Sequence, residues 1–199
     1  MLNITGENKN YYICKKKLIM GKDNKNIGLF GETAVALELI KLGYDVININ
    51  SSIQNYKNAD LIVMNSKTGK STMVQVKCGT THNIFVGFVS ELDGTIPAID
   101  EKIICPWVFV KVDDDYNTEF YVLSADEAKT LIKAGNDWYV HDFNRQLKGK
   151  PIVGMEISWL EGKNTDASST NLKIQHKAFN NPLGHNSINR WDKIKRLLE

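Results

Sequence analysis

Hydrophobic and polar positions are most clearly ordered between Asn58 and Cys78. Asn58-Ala59-Asp60-Leu61-Ile62-Val63-Met64 and Ser71-Thr72-Met73-Val74-Gln75-Val76-Lys77-Cys78 are two apolar runs rich in β-branched residues. Asn65-Ser66-Lys67-Thr68-Gly69-Lys70 separates them and is polar, with a single Gly. Two such runs around a short polar segment predict a β-hairpin. Folding symmetrically about Lys67 and Thr68 pairs Asn65 with Lys70, Met64 with Ser71 and, at the far end, Asp60 with Gln75. Side chains alternate faces along a strand, so Gln75 and Lys77 share one face, and Val74 and Val76 take the other. This register gathers a carboxylate, an amide and an ammonium at one end of the strand pair. A slip of one residue would undo it.

Upstream, Lys25 to Leu42 predicts a helix. Leu29, Phe30, Val35, Leu37, Leu39 and Ile40 recur at helical spacing, Asn24 or Asn26 is a candidate cap, and Gly43 suits the C′ position. Glu32 shares a face with Val35, Ala36 and Leu39. A carboxylate aimed at a core needs a cation or metal as partner. The plainer alternative is an exposed first-turn Glu favoured by the helix dipole. Tyr44 to Ile49 predicts a strand and Asn50 to Lys57 a polar loop. Nearer the N-terminus, Met1 to Asn10 has no periodicity, Tyr11 to Cys14 reads as a short strand, and Lys15-Lys16-Lys17 as a solvated basic face.

Past the hairpin, Gly79 to Asn83 reads as a polar turn, Ile84 to Val89 as a strand, and Glu91 to Ile99 as a loop. Trp107 to Val112 is apolar enough to be a strand buried on both faces. Asp113-Asp114-Asp115 then forms a solvated turn into the strand Glu119 to Leu123. Ser124 and Glu127 form a capping box for a helix that Gly135 is expected to stop. Trp138 to Val140 and Ile152 to Leu160 are expected as strands, and Glu161 to Thr170 as a loop. Ser187 is expected to cap a last helix, Ile188 to Leu198, with Trp191, Ile194, Leu197 and Leu198 at helical spacing. Its Arg190, Lys193, Lys195 and Arg196 read as a solvated face, with a nucleic-acid groove as the alternative. His141, His176 and His185 have no metal-ligand spacing.

Composition adds limits. The 199 residues suffice for one domain with a real core. We expect a single unit over 1–199, with its core at about 25–123 and a C-terminal elaboration at about 136–199. A net charge of +2 is too small to argue for nucleic acid or membrane by itself, so any basic surface is local. No apolar run approaches the roughly 20 residues that span a bilayer. Cys14, Cys78 and Cys105 are odd in number and widely spaced, without metal or disulfide patterning. With no secretion signal visible, they suggest a cytoplasmic setting.

Gly31-Glu32 in the first helix, Ala59-Asp60 entering the hairpin and Gln75-Val76-Lys77 in its second strand together resemble the PD-(D/E)-x-K nuclease superfamily. The resemblance covers roughly Lys25 to Leu123. Ala59 stands where the motif has Pro. Gln75 stands where it has an acidic residue, a variant similar to that of the Mrr-like endonucleases. The resemblance implies an α/β, restriction-endonuclease-like fold, a central mixed β-sheet flanked by helices, with the site at one end of the hairpin. It implies a Mg²⁺-dependent DNA endonuclease of restriction or genome-defence type, with Mn²⁺ as a substitute ion. Elementary chemistry agrees, because Mg²⁺ takes oxygen ligands and keeps several waters, so one or two carboxylates suffice. Asp60 is then the anionic ligand, Gln75 and the Val76 carbonyl add neutral oxygens, and Glu32 contributes through water. Lys77 orients or helps deprotonate the attacking water, or stabilises the pentacovalent phosphate. Thr80, Thr81, His82 and Asn83, just past this strand, are candidate DNA contacts. A two-strand cut is simplest for a homodimer, whose symmetry matches the duplex. The alternatives are a nuclease-fold nucleic-acid-binding module without catalysis, suggested by Gln75, and a structure-selective nuclease of the Holliday-junction type.

Overall fold

Most apolar side chains of the strands divide between two large clusters, one on each face of a mixed central sheet. A computed structural model describes residues 24–51, 56, 58–144, 149–167 and 175–199. Helix α1 (Asn24–Lys41) leads into β1 (Asp45–Asn48) and a 3-10 turn, Ile49–Ser51. Then come β2 (Leu61–Asn65), β3 (Lys70–Gly79), β4 (Asn83–Val89), the short α2 (Ile99–Lys102), β5 (Trp107–Val112) and β6 (Thr118–Leu123). After α3 (Ala125–His141) follow β7 (Phe143–Asn144), β8 (Ile152–Glu156), α4 (Ile157–Leu160), β9 (Gln175–His176) and α5 (Asp192–Leu198). The main sheet runs β1-β2-β3-β5-β6, antiparallel throughout except for the parallel β3–β5 pair. The protein is therefore an α/β fold with a mixed central sheet and helices on both sides.

Period two sets the layers. Leu61, Val63, Val74, Val76, Val108, Val110, Val112, Phe120 and Val122 point to the face covered by α1 and α5. Trp107, Phe109, Tyr121 and Leu123 point to the other, where α3, α4 and the β4–β8 ribbon pack. The hairpin has the expected register: Asn65 pairs with Lys70, Met64 with Ser71 and Leu61 with Val74. The amide of Asp60 continues the ladder by donating to the Val74 carbonyl at 2.9 Å. Gly43 ends α1 as expected. Its φ is 89°, its N–H donates to the Ile40 carbonyl, and Tyr44 N–H donates to the Leu39 carbonyl. Those two bonds form a Schellman motif.

Several expectations are corrected. Asn26 lies inside α1, so it is no cap. Gly31, Val35 and Leu39 form the buried stripe of α1, while Leu29, Leu37 and Ile40 are exposed. Gly135 does not stop α3, and Trp138 to Val140 is helix, not strand. The ring of Trp159 lies where a Cβ on Gly135 would be, so glycine serves close packing there. Gly135→Ala is therefore expected to destabilise the protein by about 1–3 kcal/mol through overpacking, read as a lower urea midpoint. The strand expected over Ile152 to Leu160 ends at Glu156 and turns into α4. Ser187 is not a cap. Its backbone is bonded to Val122 and Leu160, and α5 begins only at Asp192. Tyr11 to Cys14 and Lys15 to Lys17 lie outside the described residues. No helix among the described residues is long and apolar enough to cross a membrane.

Candidate functional site

β3 changes partners midway. Its first half pairs with β2 and its second half, from Gln75, with β5. Asp60 sits at that junction, just ahead of Leu61. Leu61 faces α1, so alternation turns Asp60 to the opposite face, beside Gln75. Asp60 is 8% exposed and Gln75 5%. A carboxylate this buried needs hydrogen bonds, and Asp60 has several. Its Oδ2 accepts from the Val76 N–H at 2.7 Å and from the Gln75 amide, and its Oδ1 accepts from Asn50 at 3.0 Å. Gln75 Nε2 is also 3.3 Å from the Val76 carbonyl.

Glu32 arrives from α1 and is half-buried. The preceding Gly31 lets the helix approach β3, since a Cβ there would lie 2.5 Å from Cys78 Cβ. Asn48 Nδ2 donates to Glu32 Oε2 at 3.0 Å, and Asn50 Nδ2 to Glu32 Oε1 at 3.2 Å. Glu32 and Asp60 thus belong to one hydrogen-bonded cluster. The sequence pattern places Asn48 in a strand and Asn50 in a polar loop. The signal that could have marked them is the alternation Asn48-Ile49-Asn50, which continues the strand's polar face past its end.

Lys77 lies on the same face as Gln75, with its Nζ 5.3 Å from the centre of the Trp107 ring. Burial pushes its pKa below the usual lysine range, and the charges of Asp60 and Glu32 only partly oppose that. The four residues singled out in the sequence, Glu32, Asp60, Gln75 and Lys77, therefore meet at one end of the hairpin. The nearby cysteines are inert small residues. Burial pushes the thiols of Cys78 and Cys105 up to about 11.

The donor set suits a hard divalent ion in kind. Asp60, Glu32 and the Val76 carbonyl offer oxygen, and a half-turn of the Gln75 amide exchanges its nitrogen for oxygen. Its charge is modest, because no three His, Cys, Asp or Glu side chains converge as a metal group among the described residues. Asp60, Gln75 and Val76 are the residues that would hold such an ion, with Glu32 one hydrogen bond further out.

Thr80, Thr81 and His82 are exposed on the turn after β3. Asn83 differs: it is half-buried, with its side chain against Gly154 of β8. The basic residues near the C-terminus are ion-paired within the chain. Arg190 and Arg196 bond Asp192, Lys195 bonds Glu199, and Lys193 is buried against Glu127 at 2.6 Å. Lys193 is therefore a structural cation, not part of a solvated face. No family model, curated protein or solved structure matches the chain.

Proposed function

We propose that the protein is a Mg²⁺-dependent DNA endonuclease on a restriction-endonuclease-like fold, of restriction or genome-defence type. The observation that carries this reading is the meeting of Glu32, Asp60, Gln75 and Lys77 where β3 exchanges β2 for β5. The strand order and the single parallel pair beside the hairpin support the fold assignment.

Hydrolysis of a phosphodiester puts a water oxygen on phosphorus, breaks a phosphorus–oxygen ester bond, and leaves the departing oxygen to take a proton. Lys77 is suited to the water. Its depressed pKa enlarges the neutral amine fraction, which can accept the proton that the water sheds. In its ammonium form it faces the negative charge of the phosphate. The Val76 N–H and Asn50 hold the Asp60 carboxylate in one orientation, so its free lone pairs have a fixed direction. Held by Asp60, Gln75 and the Val76 carbonyl, Mg²⁺ would supply positive charge and would make a water more acidic.

A second reading has its own support. The Gln75 amide closes on Asp60 and the Val76 carbonyl from within the chain, as suits a nuclease-fold binding module without catalysis. Incubation of supercoiled plasmid with Mg²⁺, Mn²⁺ or EDTA separates the two. Nicked or linear product with either metal, falling to background in EDTA, is the expected result. DNA retardation in gels that is indifferent to metal, with no cleavage, would replace the first reading by the second.

A further inference from the structure

Glu32 and Asp60 come from opposite sides of the sheet. Glu32 belongs to the helix layer, on the face of Val74 and Val76, whereas Asp60 projects from the hairpin on the face of Gln75 and Trp107. Asn50 stands at the end of the sheet between them. Its single amide nitrogen donates to Glu32 Oε1 at 3.2 Å and to Asp60 Oδ1 at 3.0 Å. Its own position is well anchored. The neighbouring Ile49 is buried with Ala59 and Cys105, and the Ile49 N–H donates to the Asp60 carbonyl at 2.8 Å. The backbone bond places Asn50 beside Asp60, and the side chain then reaches across to the helix.

We propose that Asn50 is the positioning residue of the site, the neutral bridge that draws the helix-borne carboxylate of Glu32 into the charge set around Asp60. This rests on the nuclease reading above and extends it, because Gln75 leaves Asp60 with one negative charge fewer than two paired carboxylates would provide. Two carboxylates brought together repel one another. An amide with two N–H donors can bond one oxygen of each and hold them side by side without cancelling their charge. An Asp at this position would add a third negative charge and lose both donors. A Lys would hold the carboxylates but would neutralise the charge that attracts a cation. Asn48 secures the other oxygen of Glu32, so the carboxylate is held at both ends.

Calorimetric titration of the full chain with Mn²⁺ tests this, comparing wild type, Asn50→Ala, Glu32→Gln and the double variant, with thermal melting as the check on folding. Partners that orient metal-binding groups are typically worth about 10–100-fold in metal affinity or activity. Asn50→Ala should weaken Mn²⁺ binding by roughly tenfold or more, on that scale. Because Asn50 bonds both carboxylates, the double variant should bind worse than Glu32→Gln alone, but by less than the product of the two single losses. Asn50→Gln, which keeps the donor on a longer stem, should lose less affinity than Asn50→Ala. If Asn50→Ala melts too low to assay, a wild-type affinity in Asn50→Gln together with a loss in Glu32→Gln is the expected pattern. Unchanged affinity in Asn50→Ala, or losses that simply multiply in the double variant, would overturn the role of Asn50 and leave the nuclease reading standing. Absence of Mn²⁺ binding by the wild-type protein would overturn both.

Discussion

Asp60→Asn is expected to reduce Mg²⁺-dependent plasmid cleavage by more than the roughly 100-fold that marks the upper end for outer-sphere partners of a metal. The fold should survive. Asp60 accepts hydrogen bonds from the Val76 N–H, from Gln75 and from Asn50. An Asn side chain has the same shape, and its remaining oxygen can still serve the Val76 N–H and Gln75. Its new nitrogen meets that of Asn50, so the hydrogen bond lost is the one to Asn50, whose amide stays turned toward Glu32. The charge is what disappears, and with it the anionic ligand. Asp60→Ala is a poorer test, because it strands the buried Val76 N–H and the Gln75 amide, each at a cost of about 1–3 kcal/mol. Loss of activity there would mix chemistry with folding. The two variants together separate these causes: both should be inactive, but only Asp60→Ala should show a large fall in urea midpoint. Cleavage by Asp60→Asn at the wild-type rate would remove Asp60 from the chemistry and leave it a buried structural acid.

The parts of this site that the sequence made legible are those whose partners are local. The hairpin register follows from a turn flanked by two contiguous runs, and period two then dictates that Asp60, Gln75 and Lys77 share a face. The capping box at Ser124 and the Gly43 terminus are equally local, and both are present. Long-range partners escaped notice. Gly135 carries the signature of a helix stop. Its actual role depends on Trp159, brought over it by the β8–α4 segment, and nothing within α3 announces that. Asn50 belongs to a polar run that looks like any loop. Its importance depends on Glu32 and Asp60, which come from different elements and meet only when α1 packs on the sheet. Leu29, Leu37 and Ile40 recur at helical spacing yet are exposed, because apolar residues surround α1 and its buried stripe is Gly31, Val35 and Leu39. At Ser187 the capping residue type was right and the backbone was engaged elsewhere, in bonds to Val122 and Leu160.

Lys77→Met should make the protein inactive and, at neutral pH, more stable. Burial is the largest influence on Lys77 and lowers its pKa, outweighing the pull of Asp60 and Glu32 that favours the ammonium. In the unfolded chain the same group titrates near its ordinary value of 10.5. Between the folded and unfolded pKa values, the unfolded chain carries a proton that the folded protein has released. Unfolding therefore takes up a proton there, and stability rises with pH through that window. Below it both states carry the charge, and the folded protein bears the whole cost of a desolvated ammonium. Methionine keeps an unbranched stem of similar volume over Trp107 and removes that cost. The stability gain of Lys77→Met should thus be greatest where the folded protein still holds the ammonium and shrink as the pH rises toward 10.5, measured by urea unfolding across the neutral to alkaline range. Cleavage should fall over the same range by about 10²–10⁴-fold, the usual contribution of a positioned acid or base. A stability gain that grows with pH would contradict the buried-ammonium account, and cleavage retained by Lys77→Met would take Lys77 out of the reaction. Both effects have one source: the enclosure that costs the folded protein stability also makes the amine able to accept a proton from water.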